Sequence, residues 1–172
     1  MSEVSQVVWF TGLPGSGKTT LAHALARELR TQGRACFMID GDALRRELCR
    51  DLGFTREDRR EQCRRAAALA RLAADQGLIA IVSLVSPYRE DRAAAHQALE
   101  SHAWHEVYVA TPPALCAERD QRGLWTGAPG LTGRDSPYEE PDQSVLRFVP
   151  GIGDTDEMLR LLVAKAVGCS RI

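Results

Sequence analysis

With 172 residues, 44% of them hydrophobic, and 22 basic against 23 acidic side chains for a formal charge of −1, the chain suits one globular domain, residues 1–172, with a sizeable core. Arginines and acids are interleaved rather than massed, which argues against a nucleic acid polymer as partner. The longest apolar run, Leu78 to Val85, is far too short to span a bilayer and Met1 to Gln6 lacks a signal-peptide pattern, so no membrane partner and a cytoplasmic location are expected.

Val7 to Phe10 reads as a first strand, and Thr20 to Gln32 as a helix with Leu21, Ala24, Leu25 and Leu29 at helical spacing. Between them Gly12, Gly17, Lys18 and Thr19 complete the G-x-x-x-x-G-K-[ST] phosphate loop in its required strand-to-helix setting. Backbone N–H groups from Gly12, Leu13, Gly15, Ser16, Gly17, Lys18, Thr19 and Thr20, with Pro14 shaping the turn, are the expected cradle for ATP. Lys18 supplies a compact charge and the Thr19 hydroxyl a ligand for Mg2+. Only Lys18 and Lys165 among the basic residues are lysines, so one of the two stands where a point charge is needed.

Cys36 to Asp40 predicts a second strand ending in Asp40-Gly41-Asp42, at the carboxyl edge where α/β sheets place ligands. Two acids there suit magnesium and the attacking hydroxyl of a phosphoryl transfer, although the same tripeptide can turn the chain and cap a helix over Ala43 to Arg50. Seven arginines, Arg45, Arg46, Arg56, Arg59, Arg60, Arg64 and Arg65, surround Leu52-Gly53-Phe54 and suggest an anionic, ring-bearing acceptor. Glu47, Asp51, Glu57, Asp58 and Glu61 offer them ordinary surface partners instead, which leaves two or three for function.

A helix over Arg56 to Gln76 leads to a third strand, Ile79 to Val85, followed by Ser86-Pro87-Tyr88-Arg89 and a helix over Glu90 to Ser101. Ser86 lies at a site edge or caps that helix. A phosphoserine is chemically allowed there, but direct in-line transfer needs only positioning and charge stabilisation. Glu106 to Ala110 predicts a fourth strand and Pro113 to Arg122 a helix. Arg119 and Arg122 then open a segment, 119–142, so rich in glycine and proline past residue 122 that a mobile lid is expected rather than a decorative loop. Val145 to Val149 and Thr155 to Val167 complete the chain as strand and amphipathic helix. The alternation predicts an α/β fold, three-layer and doubly wound on a mainly parallel five-stranded sheet. Cys36, Cys49, Cys63, Cys116 and Cys169 and the four histidines show no ligand spacing, so reduced thiols and no further metal are expected.

These blocks in this order resemble the adenylylsulfate (APS) kinase family across nearly the whole chain. The resemblance is carried by Gly-Leu-Pro-Gly-Ser-Gly-Lys-Thr-Thr, Asp-Gly-Asp with Arg45, Leu-Gly-Phe then Glu-Asp-Arg, Ser-Pro-Tyr-Arg, Cys116 with Glu118-Arg119-Asp120, Gly-Leu-Trp and Asp-Ser-Pro-Tyr-Glu. It implies transfer of the γ-phosphate of MgATP to the ribose 3′-hydroxyl of adenosine 5′-phosphosulfate, with Asp40 near magnesium and the acceptor hydroxyl. Asp42, Arg45, Phe54 and Arg59 would line the acceptor site, Ser86 would hold the family's phosphoserine position, and a small-molecule nucleotide and a homodimer are the partners it allows. Three positions depart from the pattern: Gln62 replaces an asparagine, Leu131 replaces an aromatic that stacks on the acceptor base, and Thr126 to Gly130 is shorter than the usual basic stretch. Loss of that stacking is worth ~1 kcal/mol beyond burial. A second reading is therefore a relative acting on another nucleotide, such as a modified cytidine diphosphate; a third is a non-catalytic nucleotide-binding regulator. A GTPase would need an Asn-Lys-x-Asp element, which a chain without asparagine cannot supply.

Overall fold

The computed structural model describes residues 5–127, 129–142 and 145–168. Strands β1 (Gln6–Thr11), β2 (Cys36–Asp40), β3 (Ile79–Ser83), β4 (Ala103–Val109) and β5 (Leu146–Phe148) form one sheet in the order β2-β3-β1-β4-β5. Every pairing is parallel, so each connection must cross over the sheet and each strand ends on the same edge. Helices α1 (Lys18–Thr31), α2 (Gly41–Arg46), α3 (Arg56–Asp75), α4 (Arg89–Ala98) and α5 (Pro113–Glu118) lie in those connections, and α6 (Thr155–Ala166) follows the last strand.

Alternation along β1 separates the two cores. Val7 and Trp9 pack with the alanines of α3 and with Ala95 of α4, whereas Val8 and Phe10 pack with Leu21, Leu25 and Leu29 of α1 and Leu162 of α6. The small stripe Ala66, Ala67, Ala70, Ala73 and Ala74 lets α3 lie close to the sheet. Side chains fix the starts of α3 and α6: Thr55 and Asp58 form a capping box for α3, and Asp154 accepts the N–H groups of Asp156 and Glu157 at α6.

The expected fold stands, with an all-parallel sheet, and its element bounds shift for local reasons. Asp40 itself caps α2, which therefore begins at Gly41 and stops at Arg46 rather than running to Arg50. Pairing of Gln6 with Ala103 starts β4 three residues before Glu106. Helix α5 closes at Glu118, so Arg119 to Arg122 is not helical. Within 123–142 the described residues form turns and one isolated bridge, Thr132 to Ser136, with no helix or strand. Cys36, Cys49, Cys63 and Cys116 are free thiols, and Cys169 lies outside the described residues. Among the described residues no helix is long and apolar enough to cross a membrane.

Gly12 sits where β1 becomes the phosphate loop, at φ 151, and a Cβ there would lie 2.5 Å from the Val109 carbonyl oxygen. Because that obstacle is backbone of the neighbouring strand, it cannot rotate aside. Gly12→Ala is expected to cost about 2 kcal/mol or more of stability. An unchanged urea midpoint would contradict this close approach.

Candidate active site

A cavity of about 650 Å³ opens at the carboxyl edge of the sheet, between the phosphate loop, the β2–α2 corner, the start of α3 and the lid. In the order β2-β3-β1-β4-β5, β1 has β3 on one side and β4 on the other, which is the switch point where doubly wound sheets leave a crevice.

On the loop side, Gly17 adopts a left-handed conformation at φ 100 and turns the chain into α1. Lys18 is buried, with Nζ donating to the Leu13 carbonyl at 2.8 Å and lying 3.4 Å from Ser16 Oγ. Burial pushes this ammonium down to about 8, against the pull of Cys116, Asp42 and Asp40 in the other direction. Thr19 Oγ1 donates to Asp40 Oδ2 at 2.9 Å and lies 3.2 Å from Ser83 Oγ. The other oxygen of Asp40 accepts the N–H groups of Asp42 and Ala43, each at 3.1 Å, so the carboxylate is both helix cap and cavity wall. Among the described residues no group of three or more His, Cys, Asp or Glu could hold a metal. The adjacent hydroxyl and carboxylate of Thr19 and Asp40 nevertheless fit Mg2+, a cation that takes one or two hard protein oxygens and fills its shell with phosphate and water.

Across the cavity, Arg45 donates to the Gly53 carbonyl at 2.7 Å and its guanidinium lies 4.3 Å from the centre of the Phe54 ring. Arg59 holds the Phe54 carbonyl at 3.0 Å and reaches the lid at Gly130 O, 2.9 Å away. Phe54 is 62% exposed, unusual for a phenylalanine, and forms part of the cavity wall with Gln62 and Leu131. The Gln62 amide donates to the Gly41 carbonyl at 3.1 Å, tying α3 to the Asp40 corner. On the lid, Arg122 forms an ion pair with Asp42, which raises the guanidinium further, and the Trp125 indole donates to the Pro14 carbonyl at 3.2 Å.

Most expected site residues thus meet in one place, and the structure also separates some. Of the seven clustered arginines only Arg45 and Arg59 line the cavity. Arg64 and Arg65 pair with Glu61 and Asp51, as their surface alternative anticipates, whereas Arg56 and Arg60 pair with Glu90 and the buried Asp91 of α4, partners outside that alternative. Ser86 lines the wall but its buried hydroxyl accepts the Trp9 indole N–H at 3.1 Å; it does not cap α4, whose first N-cap residue is Tyr88. Gly12, Leu13 and Ser16 build the loop from behind without lining the cavity. Arg119, expected to swing with the lid, is the C-cap of α5 and donates to the Pro150 carbonyl at 3.3 Å, outside the cavity lining. Ser83, Leu84, Gly130 and Thr132 line the wall without having been singled out. For Ser83 a signal was available, because it is the one polar residue within the apolar run Leu78 to Val85.

The Adenylylsulphate kinase family profile matches residues 4–148. A Bacillus licheniformis protein named adenylyl-sulfate kinase is 45% identical over 164 residues, which span 92% of this chain and 83% of that one. The structure of the Mycobacterium tuberculosis APS kinase CysC in complex with AMPPNP and APS superposes with a TM-score of 0.88 at 37% identity, covering 96% of this chain and 98% of that one. A hexameric APS kinase from Thiobacillus denitrificans gives a TM-score of 0.72 at 30% identity, covering 99% of this chain and 30% of that one. The phosphate loop facing an arginine-flanked phenylalanine across one cavity, and these matches over nearly the whole chain, make it a member of the adenylylsulfate kinase family.

Proposed function

We propose that this chain transfers the γ-phosphate of ATP to the ribose 3′-hydroxyl of adenosine 5′-phosphosulfate. The observation that carries the reading is the Thr19 to Asp40 contact of 2.9 Å, which sets a phosphate-loop hydroxyl beside a carboxylate of the acceptor wall. Lys18 and the loop amides hold the β- and γ-phosphates, and Arg122 moves from Asp42 to the transferring phosphate as the lid closes. Thr19 and Asp40 would hold Mg2+, which neutralises charge on the phosphates. Asp40, oriented by the N–H groups of Asp42 and Ala43, accepts the proton of the attacking hydroxyl. Arg45 and Arg59 bind the phosphosulfate, Asp42 and Gln62 position the nucleoside, and Phe54 stacks on its base against Leu131. Arg119 beside Pro150 borders the donor side, where its planar guanidinium suits the ATP base. Transfer is direct, since the Ser86 hydroxyl is already engaged by Trp9. The protein works in the cytoplasm, where ATP is supplied and its thiols stay reduced, and it self-associates, at least as a homodimer; the hexameric relative supports assembly.

ADP release with adenylylsulfate, compared with cytidine-type acceptors, tests this reading. Turnover with adenylylsulfate supports it, whereas turnover confined to a cytidine diphosphate derivative would favour the second reading, to which the aliphatic Leu131 gives a specific motive. Failure with every acceptor, despite ATP binding, would point to a regulator.

Asp40→Asn should lower kcat by about 10²- to 10⁴-fold while ATP affinity stays within a few-fold. Wild-type turnover in that variant would remove Asp40 from the mechanism. Phe54→Ala should raise the acceptor KM roughly tenfold and leave the ATP KM nearly unchanged. Equal rises would contradict stacking. Lys18 carries its charge below about 8 and loses it above, and a bound anion raises that value, so ATP affinity measured in chelator should weaken as pH rises from 7 to 9. A flat profile, or the same slope in Lys18→Met, would show that another group titrates.

A further inference from the structure

Arg92, on α4, is only 3% exposed, and a buried guanidinium persists only where its charge and its donors find partners. Here the partners come from three separate parts of the chain. Nη1 donates to the Ser86 carbonyl at 2.7 Å, Nη2 to the Glu139 carbonyl at 2.7 Å, and Nε lies 2.9 Å from Glu106 Oε1 on β4. The guanidinium also sits 5.8 Å from the centre of the Tyr138 ring.

Neighbouring bonds knit the same segments. The Tyr138 hydroxyl is 2.9 Å from Thr11 Oγ1, which itself donates to the Val85 carbonyl at 2.7 Å. Glu139 donates its N–H to the Pro87 carbonyl at 2.8 Å, and its carboxylate accepts the Arg89 N–H at 2.8 Å. Ser86, at the centre of this knot, has φ 38, a left-handed conformation that a residue with a side chain adopts only when its surroundings hold it there. The lid's two ends are therefore held differently. Its first turn is held by the exposed Arg122 to Asp42 pair, side chains 62% and 55% accessible, whereas its return at Tyr138 and Glu139 is anchored to a buried cation.

We propose that Arg92 is a positioning residue, the fixed pivot that holds the lid's return segment on the Ser86 turn so that Gly130 to Thr132 come down on the acceptor at a set place. It touches no reactant. Its effect passes through two backbone carbonyls, one on the cavity wall and one on the lid, and a bidentate fork on Ser86 and Glu139 serves this better than a point charge. The kinetic part of the proposal rests on the phosphotransfer reading above; the mechanical part does not.

The test pairs hydrogen exchange with steady-state kinetics on Arg92→Lys, which keeps the charge and loses the fork. Amides of residues 130–139 should exchange roughly tenfold faster while those of β1 and β3 are unchanged. The acceptor KM should rise about tenfold with the ATP KM within about twofold. Tyr138→Phe, which removes one hydroxyl, should shift both readouts the same way by a smaller factor, and it stands in should Arg92→Lys fail to fold. Unchanged lid exchange, equal acceleration of sheet and lid, or equal rises in both KM values would each overturn the pivot. If the wild type fails to turn over adenylylsulfate, the functional reading falls by itself and the exchange arm still decides the pivot.

Discussion

The hydrogen bond from Thr19 Oγ1 to Asp40 Oδ2 joins the phosphate loop to the β2–α2 corner of the cavity. Thr19 belongs to the first turn of α1, placed by the phosphate loop; Asp40 ends β2, the outermost strand on the other side of β3. They meet only because β1, β3 and β2 run parallel in register, with Phe10 beside Ser83 and Ser83 beside Asp40. Ser83 stands between them, and its hydroxyl lies 3.2 Å from that of Thr19. A slip of one residue in either pairing would carry the carboxylate to the opposite face of the sheet. The hydrophobic alternation that fixes register in the two cores is thus what holds the Asp40 carboxylate against the Thr19 hydroxyl of the phosphate loop.

Arginine does different work according to its burial. On α3, Arg64 and Arg65 pair with Glu61 and Asp51 at exposed or half-buried surface positions, contacts that contribute little to stability individually. Arg45 and Arg59 are held at the cavity by backbone carbonyls, and burial lowers both from the usual arginine value. Their ties are to carbonyls rather than carboxylates, so among the described residues neither guanidinium is spent in an ion pair. Asp91, almost wholly buried, is compensated by Arg56 and Arg60 from α3 and so fastens α3 to α4 beneath the site.

The features legible in the sequence were those whose cause is local. The phosphate-loop motif is eight consecutive residues, Gly12 to Thr19, its flanking strand and helix are set by short periodicities, and Asp40-Gly41-Asp42 announces the end of a strand. The division of the arginines was not legible, because Glu90 and Asp91, which occupy Arg56 and Arg60, lie some thirty residues further along the chain. The Tyr138 to Thr11 bond spans 127 residues and has no local signature at all. Arg119 reads as part of the lid because it opens the glycine-rich segment, whereas it is the C-cap of α5 and donates to the Pro150 carbonyl, a residue 31 positions further along the chain. The buried role of Arg92 was equally hidden, since its sequence neighbours read as an ordinary amphipathic turn.

In the proposed reaction transfer is direct and confined to one cavity, with Asp40 serving the acceptor while the Ser86 hydroxyl accepts the Trp9 indole N–H. Direct displacement inverts configuration at phosphorus, and passage through a phosphoserine, being two displacements, retains it. The decisive measurement is the configuration of the phosphate delivered to the 3′-hydroxyl of adenylylsulfate from ATP made chiral at its γ-phosphorus with oxygen isotopes. Inversion is the predicted result; retention would contradict it and return the Ser86 hydroxyl to the reaction.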